Sequence, residues 1–270
     1  MNSNINSSKI NNKLSELKST FITLKEDEPQ KINIKSNDLF QNETRNNMVK
    51  WLSFLCETLH FNIQTLYRSV IIFDKFISVS DLFEEGDLTQ EKMNLIAIGC
   101  LSLATKLEEI NCNYVKFFTD KVLNLPDCQI FSIKDLTRME MVILKKLKFK
   151  TLYSTSYDFV LFYIDLIEYL YNSPKYFVEN IKKYSLYFMK QNINTNLYLS
   201  MSQSDYAYLC LQQTLIQIGQ NNVVNQIQNI LANDDLLRIQ RSECFNKHND
   251  KYNANSERNQ IMNSFSLSSF

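Results

Sequence analysis

Helix breakers are nearly absent from this sequence: its 270 residues hold three Gly and three Pro. Such scarcity speaks against turn-rich β folds and leaves long helices as the natural reading. His is as rare, with only His60 and His248, and no Gly-rich phosphate loop or nucleophile elbow is present, so an enzyme in its own right is not expected. The six Cys (56, 100, 112, 128, 210 and 244) form no CxxC pair, which removes the usual zinc and disulfide frameworks. Excess charge of one sign is lacking too: 29 Lys and Arg balance 29 Asp and Glu, so no global basic field gathers nucleic acid. No run approaches the roughly 18 apolar residues of a membrane span, and MNSNINSSKI has no hydrophobic signal core. The expectations are an intracellular chain of the nucleus and/or cytoplasm, with no metal, no cofactor, no nucleic-acid partner and no membrane.

What is present is a series of apolar stripes at helical spacing. Ile10, Leu14, Leu17, Phe21 and Leu24 mark an N-terminal helix within an arm over 1–43. Two heptads are too few for a coiled coil, and packing onto its own domain is the favoured reading; residues 25–43 read as a polar connector. Met48, Trp51, Leu52, Leu55 and Leu59 form the next stripe, then Leu66, Val70, Phe73 and Ile77. A third run from Met93 to Leu107 is rich in small residues (Ala97, Gly99, Cys100, Ala104), as the central helix of a bundle would be. Tyr114–Thr119 offers a short fourth helix. Ser132 and Asp135 give a capping signal for a fifth, lined by Ile133, Leu136, Ile143 and Leu147. Trp51 and Leu95 are expected in this core.

A second helical unit over 151–245 starts at the Thr155–Asp158 capping signal, with Phe159, Phe162, Leu166 and Leu170. Asn172-Ser173-Pro174 breaks it. Phe177, Ile181, Tyr184 and Phe188 form a clean amphipathic stripe, and Ser202–Asp205 caps a run with Tyr206, Leu209 and Gln213. Weaker helical patterns run through 223–231 and 235–239, and the Asn- and Ser-rich tail over 246–270 reads as disordered.

Inside these stripes sit charges that need partners. Arg45 opens RNNMVKWL, Asp74 interrupts VIIFDKFIS, Lys106 falls in NLIAIGCLSLATKLEE and Glu140 in RMEMVILKKLKF. Charged side chains are seldom buried unless paired. In order and residue type the four segments resemble the cyclin box, over about 44–150, with Lys75 for the usual Arg and Thr105 for the usual Ser. The resemblance implies an all-α chain of two tandem five-helix cyclin folds, the second (151–245) more divergent, that binds and activates a cyclin-dependent protein kinase as a heterodimer without catalysing anything itself. It implies an internal ion pair between Arg45 and Asp74, and contacts from Lys106 and Glu140 to the kinase backbone, with Leu103, Leu107 and Ile143 as the flanking apolar side chains.

Departures from the family matter as well. Where A- and E-type cyclins dock Arg-x-Leu substrates, this chain keeps Met48 and Trp51 but carries Thr44, Asn47 and Phe54, which speaks against that docking mode. No Arg precedes Arg45, so no Arg-x-x-Leu destruction box is expected, nor is a Lys-Glu-Asn box present. The competing reading is a cyclin-fold scaffold or a transcription factor of the factor IIB kind, which calls for a zinc ribbon and a basic stripe. Glu108 and Glu109 read as a solvated helix end, and His60 as a dipole partner at a helix C-terminus.

Overall fold

The computed structural model describes residues 2–30, 39–80, 89–110, 114–171, 173–220, and residues 222, 223, 225 and 227. The tail over 246–270, the helical pattern over 235–239 and most of that over 223–231 lie outside the described residues. Those described are helical and contain no strand: α1 (Asn2–Glu26), α2 (Leu39–Thr58), α3 (Ile63–Val79), α4 (Gln90–Glu108), α5 (Tyr114–Phe117), α6 (Ile133–Lys146), α7 (Ser156–Tyr171), α8 (Lys175–Asn192), α9 (Asn196–Ser200) and α10 (Gln203–Gln217). A single π-helical turn, Phe118–Val122, continues α5. The all-α expectation therefore holds.

Capping chemistry sets several of the starts. The Ser132 hydroxyl accepts from Asp135 N while the Asp135 carboxylate accepts from Ser132 N, a complete capping box. Thr155 and Asp158 repeat the reciprocal bonds, and the Ser202 hydroxyl accepts from Asp205 N. At the other end of α2, His60 takes φ +56°. The bonds Phe61 N to Cys56 O and His60 N to Glu57 O close a left-handed helix terminus around it. Its contribution there is a backbone conformation.

Two helices are buried on nearly all sides, and each centres a packed group. Helix α4 packs against α2, α3 and α6, while α10 packs against α7 and α8. From Ile96 to Thr105 every residue of α4 is buried, as is most of α10 from Gln203 to Leu215, the pattern of core helices rather than surface ones. On α8 the buried face differs from the expected stripe: Ser185 turns inward, its hydroxyl 3.2 Å from that of Thr214, and Tyr184 turns out. A small side chain lets α8 close on α10, whereas a phenol there would demand space and a partner.

The N-terminal helix packs on α7 of the second group. Leu17 and Phe21 are buried, with the Phe21 ring 5.0 Å from Phe162 and 6.3 Å from Phe159. Its exit is pinned rather than loose. Ser154 N donates to Asp27 O at 3.0 Å, Ser204 N to Glu28 Oε1 at 2.7 Å, and Lys75 Nζ to Gln30 O at 2.7 Å. The start of the expected connector is thus a strap tied to α3, the α6–α7 linker and α10.

Candidate functional site

Arg45 and Asp74 meet in the interior, at 1% and 0% exposure. The guanidinium donates from Nε to Asp74 Oδ1 at 2.9 Å and from Nη2 to Oδ2 at 2.8 Å, a bidentate pair joining α2 to α3. Burial pulls the Arg45 pKa down, but the charge and hydrogen bonds of Asp74 outweigh it and leave it raised. Arg45 also reaches further than the resemblance implied. Its Nη1 donates to Ile193 O at the end of α8 at 2.9 Å, and its Cζ lies 5.4 Å from the centre of the Tyr198 ring. Tyr198 in turn donates to Gln203 Oε1 at 3.1 Å, and that oxygen accepts from Ser156 N at 3.0 Å. One ion pair therefore ties the first helical group to the second.

Lys106 and Glu140 stand on neighbouring helices, α4 and α6, and contact each other: Lys106 Nζ lies 2.7 Å from Glu140 Oε2. Glu140 Oε1 accepts the hydroxyl proton of Ser102. The partners differ in access, since the Glu140 side chain is 8% exposed and that of Lys106 is 38%. The ammonium is what the surface sees, with the carboxylate seated beneath it. Sequence spacing explains the seat, because Leu95, Gly99, Ser102 and Lys106 fall on one ridge of α4. At Gly99 a Cβ would come within 2.9 Å of Ile143 Cδ1 and 3.1 Å of Met139 Cγ, so the missing side chain is what lets α6 come this close.

Three expected positions shift. Ile143 is fully buried against Gly99 and offers no outward surface; an apolar side chain at the closest point of two helices belongs to the core. Leu103 is also buried, whereas Leu107 is exposed. Leu95 is half-buried at the start of the ridge rather than inside the core, and Trp51 is half-buried but packed against it. Exposed apolar side chains cluster along the chain around the pair: Leu107, Ile110, Met141, Val142, Phe149 and Leu152. Lys148 and Phe149 hold φ of +52° and +60° where α6 ends. Phe149 N donates to Leu144 O at 2.8 Å, closing the terminus. A bulky side chain in this region is strained, and such strain gathers at functional surfaces.

Glu108 and Glu109 are half-buried and bound to α3 rather than forming a solvated helix end. Glu108 accepts from Arg68 Nε at 2.6 Å, and Glu109 accepts from Asn62 N at 2.7 Å and from Thr65 Oγ1 at 2.5 Å, capping α3 from another helix. Arg68 also donates to Tyr153 O and lies 3.8 Å from Asp158. Nothing in its local sequence signalled this hub, because its partners lie 40 to 90 residues away. Among the described residues no cluster of His, Cys, Asp and Glu could hold a metal, and no helix is long and apolar enough to cross a membrane.

Residues 17–152, half of the chain, match the family described as "Cyclin, N-terminal domain". The chain belongs to the cyclin family. This cyclin is 30% identical to Cyclin-D4-1 of Arabidopsis thaliana over 132 residues, covering 48% of this chain and 40% of the relative. Over 139 residues it is 26% identical to G2/mitotic-specific cyclin-A of Drosophila melanogaster, covering 50% and 26%. The matched region thus spans less than half the length of these relatives. Among solved structures it is similar to a viral cyclin from herpesvirus saimiri, with TM-score 0.55 and 16% identity over 73% of this chain and 88% of that one. A chain of the yeast RNA Pol II CTD kinase CTDK-1 complex gives TM-score 0.50 and 16% identity over 73% and 68%. These likenesses establish the cyclin fold.

Proposed function

We propose that this cyclin is the non-catalytic regulatory subunit of a cyclin-dependent serine/threonine protein kinase, acting in cell-cycle control inside the cell, in the nucleus and/or cytoplasm. Its kinase-facing surface is the α4–α6 edge that carries Lys106 and Glu140. Residues 44–150 form the first cyclin fold and 151–245 a second, more divergent one. The observation that carries the reading is the half-exposed Lys106 ammonium held on a buried carboxylate and flanked along the chain by exposed Leu107, Ile110, Met141 and Phe149. A salt bridge serving only the fold would also satisfy the two charges; the exposed apolar side chains are what such a bridge leaves unexplained. The names of the relatives, D-type and mitotic cyclins, and a fold neighbour from a kinase complex support the same assignment.

The mechanism is a shift of population. A protein kinase works only when its β3 Lys–αC Glu ion pair and its DFG Asp are in place. A cyclin supplies no catalytic atom; it binds the conformer with that helix turned inward, and it raises that conformer's population only by its differential affinity. The Lys106 ammonium, 38% exposed above Glu140, is the group that would meet backbone carbonyls at the end of a helix, and the apolar side chains remove water around that contact.

The test is co-expression with cyclin-dependent kinases and measurement of complex formation and histone-type phosphorylation. Charge reversal at both positions, Lys106→Glu with Glu140→Lys, keeps an opposite-charge pair within the chain but presents the wrong charge outward. The expected result is a folded chain that neither binds nor activates the kinase. A folded double variant with wild-type activation would refute the site.

A further inference from the structure

Buried hydroxyls in helices usually return their proton to the preceding turn, as Ser69 does to Leu66 O at 2.8 Å and Thr105 to Leu101 O at 2.8 Å. Ser102 does otherwise. Fully buried in the middle of α4, it donates across the helix interface to Glu140 Oε1. Gly99, one turn earlier, lets α6 come so near that a Cβ there would meet Ile143 Cδ1 at 2.9 Å, and Lys106, one turn later, donates to Oε2 at 2.7 Å. The carboxylate is held at both oxygens, by a hydroxyl from below and by an ammonium from the surface side.

We infer that Ser102 is a positioning residue for the kinase-facing cation: it fixes the Glu140 carboxylate, which in turn presents Lys106 in one place. The inference rests on the proposed kinase-binding role of the pair, but the Ser102–Glu140–Lys106 relay is a property of the free chain. Glu140 is a poor candidate for a freely offered acceptor, being mostly buried with both oxygens engaged. Loosening this seat leaves the long Lys106 side chain less ordered, and ordering it when a partner binds costs rotamer entropy. Pre-ordering it improves association through the cation without adding a contact to the partner.

The test uses the full chain in two arms. The first needs no partner: lysines are reductively methylated with 13C-formaldehyde, and the rates at Lys106 and at Lys183, an exposed lysine of α8, are followed by peptide mass spectrometry. In the wild type Lys106 should react several times more slowly than Lys183, and Ser102→Ala should raise the Lys106 rate while leaving Lys183 unchanged. The second arm measures affinity for a purified cyclin-dependent kinase that binds the wild type. Ser102→Ala should weaken it by about two- to tenfold, the cost of ordering one rotamer-rich side chain on binding. The same substitution should have no further effect in a Glu140→Gln background, because it acts through Glu140. Should Ser102→Ala fail to fold, Ser102→Cys keeps the volume with a weaker donor and is judged by the same criteria. An unchanged Lys106 rate, or losses that simply add to those of Glu140→Gln, would overturn the relay. If no kinase binds the wild type, the functional proposal fails, and the methylation arm still decides the role of Ser102.

Discussion

Substituting Asp74→Asn strips the charge from a group that holds a fully buried guanidinium by two hydrogen bonds. Removing one partner of such a pair costs roughly 3–5 kcal/mol, since the remaining charge stays buried without compensation. For a chain of this size each kcal/mol moves Tm by about 2–4 °C, so the melting temperature should fall by roughly 6–20 °C. The structure makes the prediction sharper, because Arg45 also serves Ile193 O at the end of α8. Replacing both members by apolar residues, Arg45→Met with Asp74→Leu, should recover part of the loss. It should still leave a deficit of about 1–3 kcal/mol, the cost of a buried carbonyl without its donor. Circular dichroism melts of the three proteins give the stabilities, and hydrogen exchange over 189–206 locates the residual deficit. A change below about 1 kcal/mol in Asp74→Asn would refute the claim that this pair is a major buried tie. A double variant matching the wild type, with unchanged exchange near Ile193, would refute its role in joining the two helical groups.

Four further outcomes are expected. Ser132→Ala, which removes the hydroxyl cap of α6, should lower stability by about 1 kcal/mol in denaturant titration. Glu109→Ala should cost about 0.5–2 kcal/mol and raise exchange at the first turn of α3, since it deletes the carboxylate capping that helix. His60→Gly should raise stability, by no more than about 1 kcal/mol, because glycine takes φ +56° without strain. Burial raises the thiols of Cys56 and Cys210 to about 12 and that of Cys128 to about 11, and lifts Cys100 well above its ordinary value. At pH 8 these four should resist iodoacetamide in the folded chain and react after unfolding, as peptide mapping would show. Because the folded state holds these protons more tightly, the stability they contribute is present below about pH 8.5 and declines as pH rises above it.

Residues whose local sequence contradicts their surroundings were the legible ones. A lone Arg, Asp, Lys or Glu inside an apolar stripe announces from the sequence alone that a partner must exist, and all four such charges are paired. Ser or Thr followed three residues later by Asp announced three caps, and each is formed. Gly99 among large apolar residues pointed to a close helix approach. Ties that run through backbone groups or across long separations left no such mark. Arg68 lies in LYRSVII, where a basic residue looks like a solvent-facing position, and its carbonyl acceptor at Tyr153 is invisible in any residue type. The same holds for the strap from Asp27 to Gln30, held largely by main-chain atoms. Ile143 lies on the apolar face that periodicity marks and is buried there; the outward role the resemblance implies for it fails because its side chain meets Gly99 of α4.

These ties bear on how the surface around Lys106 is kept in place. Glu108, two residues beyond Lys106, is bound to Arg68 of α3, and Arg68 reaches the linker at Tyr153 O and approaches Asp158 at the start of α7. Glu109 caps α3 next to it. The C-terminal end of α4, where a helix would ordinarily fray, is therefore fixed to two other elements within one turn of the candidate contact. On the proposed reading of Lys106 as a docking cation, a frayed end would lose affinity to its own disorder, and the two acidic residues that follow it remove that cost. The second helical group, held to the first through Arg45 and Arg68, thus braces the end of α4 that carries Lys106.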